Sequence, residues 1–131
     1  MNITTINRNG INDDPYTARD EIDITISNIL KRLGIASYKK PYFVLRRCIR
    51  MVVDNPVETQ FITKEVYPPV AREFRTTPGA VERAVRSAVS DIYCSEEVLI
   101  ECIGWSSSNY TNKQIVSGIA EVVRGSKNSL K

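Results

Sequence analysis

YPPVAREFRTTPGAVERAVRSAVSDIY, residues Tyr67–Tyr93, reads as a short helix, a tight turn and a longer helix. Val70, Ala71 and Phe74 share one face of the first segment. Thr76-Thr77-Pro78-Gly79 then breaks the chain and restarts it. Thr77 can cap the new helix, and Pro78 suits its first position, where a missing N–H costs nothing. Val81, Val85, Ala88 and Ile92 follow at i, i+4, i+7 and i+11, one stripe at about 100° per residue. The opposite side carries Gly79, Arg83, Arg86 and Ser90, with Glu82 and Ser87 flanking. A helix with a small, basic, polar outer face, set beyond a tight turn, is what a helix-turn-helix needs to enter a major groove.

Around that stretch the chain has 131 residues, enough for one domain with a single core. No apolar run approaches membrane length, and the first residues lack the basic-then-apolar order of a signal peptide. The expectation is a cytoplasmic protein with no membrane partner. Cys48, Cys94 and Cys102 are odd in number and widely spaced, which disfavours a disulfide framework. Histidine is absent, and with it the commonest metal ligand and general base. Zinc would need all three cysteines plus a carboxylate, and no C-x-x-C pair exists. We therefore expect no metal, no cofactor and no catalytic residue. The net charge of +3 is unevenly spread: residues 1–30 carry −3, residues 31–86 carry +7 and residues 87–131 carry −1. A polyanion is drawn to the middle segment.

Residues 1–20, polar and without periodicity, read as a flexible arm; residues 21–125 as the helical domain; and residues 126–131 as a flexible tail. A first helix over Asp20–Leu33 buries Ile22, Ile26, Ile29, Leu30 and Leu33, with Gly34 as its stop. Pro41 opens a second helix whose stripe is Leu45, Cys48, Ile49 and Val52, ended by Asn55-Pro56. Arg46 and Arg50 fall on its far side, with Arg47 at the edge and Lys39 and Lys40 just before. These charges suit either a solvated face or a flank that touches DNA phosphates. A third helix is expected over Val57–Val66. Ser95 starts a helix stopped by Gly104, with an acidic strip of Glu96, Glu97 and Glu101. Thr111 caps a last one that buries Ile115, Ile119, Val122 and Val123 and ends at Gly125. No alternating strand pattern, repeat or Gly-rich phosphate loop is present.

From Ile22 to Arg124 the sequence resembles the C-terminal DNA-binding effector domain of the master sporulation response regulator of endospore-forming bacteria. The residues that carry the resemblance are Ile62-Thr63-Lys64, Tyr67-Pro68, Ala71, Phe74, Thr76-Thr77 and above all Val81-Glu82-Arg83-Ala84-Val85-Arg86. Lys40 with Tyr42, Leu45-Arg46, Gly104 with Trp105, and Thr111-Asn112 add to it. The resemblance implies an all-α, six-helix bundle-like domain containing a helix-turn-helix. It implies double-stranded DNA as partner, through a TGTCGAA-like box used in tandem or paired copies. Glu82, Arg83 and Arg86 would then read bases. Lys64, Thr76, Thr77, Ser87, Ser90, Arg46 and Arg50 would touch the backbone or flank. Arginine can donate twice to guanine, and glutamate can accept from cytosine N4.

The resemblance further implies the RNA polymerase sigma subunit and self-association on tandem DNA sites as partners. Full-length members carry a phosphoacceptor receiver domain, and the expectation here is a stand-alone effector. Pro41 replaces a family glycine, and the Cys94–Trp105 segment and the loop before Thr111 are shorter than the family's. The competing reading is a protein-interaction module. It would modulate a full-length regulator or sigma through Glu96, Glu97 and Glu101 or through the last helix.

Overall fold

The computed structural model describes residues 14–129. Among them are seven helical segments and no strand: α1 (Glu21–Arg32), α2 (Lys40–Asp54), α3 (Ile62–Glu65), α4 (Tyr67–Glu73), α5 (Pro78–Ser90), α6 (Glu96–Ile103) and α7 (Asn112–Ser129). The fold is all-α. Val66 ends α3 and begins α4, so the pair forms one bent element and the bundle has the six helices expected.

The starts follow local chemistry. Side-chain oxygens of Asp20, Thr77 and Ser95 accept the backbone N–H groups of Asp23, Ala80 and Val98. Thr111 and Gln114 form a reciprocal pair: the Gln114 N–H donates to the Thr111 hydroxyl at 3.1 Å, and the Thr111 N–H to the Gln114 carbonyl at 2.9 Å. Each arrangement satisfies donors that a helix start leaves open.

α2 is the axis of the bundle. Val44, Leu45, Cys48, Ile49, Val52 and Val53 are all buried, and the helix packs against α1, α4, α5 and α7. Gly34 joins this body to the end of α5. Its φ is +92°, and the Tyr93 carbonyl oxygen lies 2.9 Å from where a Cβ would stand. The Tyr93 N–H donates to the Leu33 carbonyl at 2.9 Å. Backbone therefore meets backbone at this joint, and a side chain would keep them apart.

Three expectations are corrected. The helix expected over Val57–Val66 is reduced to Ile62–Glu65, with turns before it. Val57 and Phe61 stand in solvent, so no apolar face drives the longer helix. The stop expected at Gly125 does not occur, because α7 continues to Ser129. Positive φ among the described glycines is confined to Gly34 and Gly104; Gly125 keeps the helical conformation. Residues 130–131 of the expected tail lie outside the described residues. So do residues 1–13 of the expected arm, but from Asp14 onward that arm is fastened. The Tyr16 ring packs edge-on against Phe43 and Phe74, each with centroids 5.2 Å apart.

α6 and α7 cross at Gly118, where an added Cβ would lie 2.6 Å from the Ile103 carbonyl oxygen and 2.7 Å from its Cγ2. Gly118→Ala should be destabilising. Overpacking of this kind costs about 1–3 kcal/mol, against about 1 kcal/mol gained from helix propensity. Urea denaturation should show a lower midpoint at an unchanged slope; an unmoved or raised midpoint would contradict the close crossing.

Candidate nucleic-acid interface

The turn from α4 into α5 is closed by backbone alone. The Arg75 N–H donates to the Arg72 carbonyl at 3.2 Å and the Thr76 N–H to the Ala71 carbonyl at 2.9 Å. Thr77 then caps α5 through its hydroxyl, which accepts from the Ala80 N–H at 3.1 Å. α5 buries Val81, Val85 and Ala88 against the domain. Arg83, Arg86, Ser87 and Ser90 are exposed on its outer face, and Glu82 is half-buried.

Glu82 and Arg86 form an ion pair at 3.2 Å, both substantially in solvent. Such i, i+4 pairs are worth about 0.3–0.5 kcal/mol and exchange readily for another partner. The guanidinium of Arg83 lies over Gly79, its Nη1 3.6 Å from where a Cβ would stand. It has no hydrogen bond or ion pair with any described residue. The Ser90 hydroxyl donates to the Ser87 carbonyl at 2.7 Å. Lys64 on α3 is exposed, as are Thr77 and, in part, Thr76.

Two expected flank residues are spent elsewhere. Arg46 is buried; it donates to the Ser27 hydroxyl at 2.9 Å and to the Tyr16 carbonyl at 3.0 Å. Arg50 donates to Asp20 at 2.6 Å, to Asp23 at 3.0 Å and to Asp54 at 3.0 Å. A phosphate would have to compete with these contacts for either arginine. Periodicity placed them opposite the α2 stripe, but α1 and the Asp14–Asp20 segment cover that side.

The acidic strip is also partly engaged: Glu101 pairs with Arg32, and Glu96 accepts from the Ser106 hydroxyl at 2.8 Å. Burial pushes all three thiols up, away from the reactive thiolate form. Among the described residues no group of three or more Cys, Asp or Glu is placed to hold a metal ion. Among the described residues no helix is long and apolar enough to cross a membrane.

Sequence reasoning missed two supports of the site. Arg47 makes a two-pronged bond to Glu73, at 2.6 and 2.9 Å, that locks α4 onto α2. Tyr67 is buried, with Asn112 beside it, and burial pushes its pKa up to about 12; Glu82 and Arg86 act on it electrostatically. The first residue of α7 thus reaches the ground beneath the outer face of α5. Tyr67-Pro68 and Thr111-Asn112 both stood among the resemblance motifs, but their meeting is a tertiary fact.

A family model described as "Sporulation initiation factor Spo0A C terminal" matches residues 26–123. The matched span holds α2, the whole helix-turn-helix, α6 and most of α7.

Arg50→Ala should destabilise the protein by about 3 kcal/mol, because it leaves Asp23 buried without its cation. DNA affinity of the folded fraction should not change. Hydrogen bonds from Arg50 hold the Asp20 carboxyl below 3.8, so Asp20 contributes stability above that pH and loses it as pH falls through the lower folded value. Asp20→Asn should therefore flatten the acid limb of a stability–pH curve, as read by thermal melts between pH 2 and 6. An identical limb would contradict the assigned pairing.

Proposed function

The chain belongs to the Spo0A C-terminal family of DNA-binding effector domains of sporulation initiation, and on that premise we propose that it is a transcriptional regulator reading a TGTCGAA-like box with α5 in the major groove. One observation supports this most: Arg83 and Arg86 lie on the outer face of α5, and Arg83 has no hydrogen-bond or ion-pair partner among the described residues. A major groove offers guanine O6 and N7 as paired acceptors, which match the fork of a guanidinium. Glu82 accepts from cytosine N4 once Arg86 leaves it. The free domain stores the two side chains as a weak pair, and the bases replace that pairing on binding.

Phosphates on either side fall to Lys64, Thr76, Thr77, Ser87 and Ser90. A Ser90 contact has to compete with its present bond to Ser87. Two boxes in tandem would seat two chains side by side. The sigma subunit is the protein partner the family suggests, with the exposed residues of α6 as its surface. The family is one of transcription factors, and no enzymatic role is proposed.

Fluorescence anisotropy with a duplex bearing the box tests the reading. Arg83→Ala should lose about 1–3 kcal/mol of preference for the box over a scrambled duplex. Affinity of the wild type should fall steeply between 50 and 200 mM salt, as counterion release demands. Equal affinity for box and scrambled duplex, or an Arg83→Ala protein as selective as the wild type, would refute base reading.

A further inference from the structure

Among the described residues, Arg75 alone has a positive φ without being glycine, at 56°. It stands where α4 ends and the chain turns toward α5. The N–H bonds of Arg75 to Arg72 and of Thr76 to Ala71 make the two-bond helix end whose left-handed residue is normally glycine. An L side chain is disfavoured there by contact between its Cβ and the backbone. Local folding therefore gives no reason for an arginine, and its side chain adds none. It is exposed and makes no hydrogen bond or ion pair with any described residue. The nearest acid in sequence, Glu73, has both oxygens occupied by Arg47 at 2.6 and 2.9 Å.

We propose that Arg75 is a backbone-phosphate contact, a cation presented by the turn to the rim of the groove that α5 enters. The inference rests on the DNA-binding reading above and adds to it a residue outside the recognition helix. In a helix-turn-helix the first helix crosses the backbone and the turn delivers the second into the groove. A side chain on that turn faces phosphates rather than base edges. The turn is fixed by two backbone bonds and followed directly by the Thr77 cap, so the guanidinium starts from a rigid base. A strained residue kept at such a place is one whose side chain is wanted. Its contact carries no sequence information, so it strengthens box and non-box binding alike.

The test compares wild type, Arg75→Gly and Arg75→Lys by anisotropy on box and scrambled duplexes across a salt series, with thermal melts in parallel. Arg75→Gly should melt at or above the wild-type temperature, since glycine suits the turn. It should bind both duplexes about 5-fold more weakly, with a salt slope reduced by about one. Arg75→Lys should retain most of the affinity. Unchanged affinity and slope in Arg75→Gly, or a lower melting temperature that marks the side chain as structural, would overturn the inference. A wild type that binds both duplexes equally while Arg75→Gly weakens both would leave this inference standing and remove base reading. A wild type without duplex affinity would end both.

Discussion

The burial of Val81, Val85 and Ala88 against the rest of the bundle is the constraint from which the site follows. Full burial of each valine is worth about 1.5–3 kcal/mol, so rolling α5 about its axis is costly. With that stripe fixed, the helix period sets the rest: Arg83 and Arg86 lie about 200° and 140° around from Val81, on the outward side. The core of α2 is thus what turns that side of α5 outward.

The arginines divide by what surrounds them. Arg46, Arg47 and Arg50 find carbonyl, hydroxyl or carboxylate partners inside the bundle and fasten α1, α2 and α4 together. Arg75 and Arg83 find none among the described residues, and Arg86 has only the half-buried Glu82. A desolvated guanidinium with two or three acceptors cannot leave without exposing unpaired charge, whereas one with a single solvated partner can. Arg47 and Arg50 spend their charge on carboxylates, so Arg75, Arg83 and Arg86 are the guanidinium groups that the turn and α5 present to solvent.

Long-range joints keep that face rigid. Gly34 lets the end of α1 meet Tyr93 backbone to backbone, and Gly118 lets α7 press on Ile103. Asn112 of α7 lies beside Tyr67, whose environment also includes Glu82 and Arg86. Segments far apart in sequence therefore steady a surface made almost wholly by Lys64–Ser90. This arrangement lowers the ordering cost that DNA binding has to overcome.

By itself the sequence determined the helical class, most helix starts, the turn before Pro78 and the outward face of α5. These are local matters: a cap is settled within four residues, and an apolar stripe declares its own buried side. Gly125 and Val57–Phe61 misled for the opposite reason, since a glycine stops a helix only if φ turns positive and an apolar residue extends one only if something packs on it. Only the tertiary structure decided that Arg46 and Arg50 are internal, that Tyr16 is docked, and that Arg75 sits in a left-handed turn with its charge free. Periodicity tells which residues leave one helix's own stripe. What lies across from them is set by how the helices come together, and that packing is a sum over distant residues that no local pattern contains.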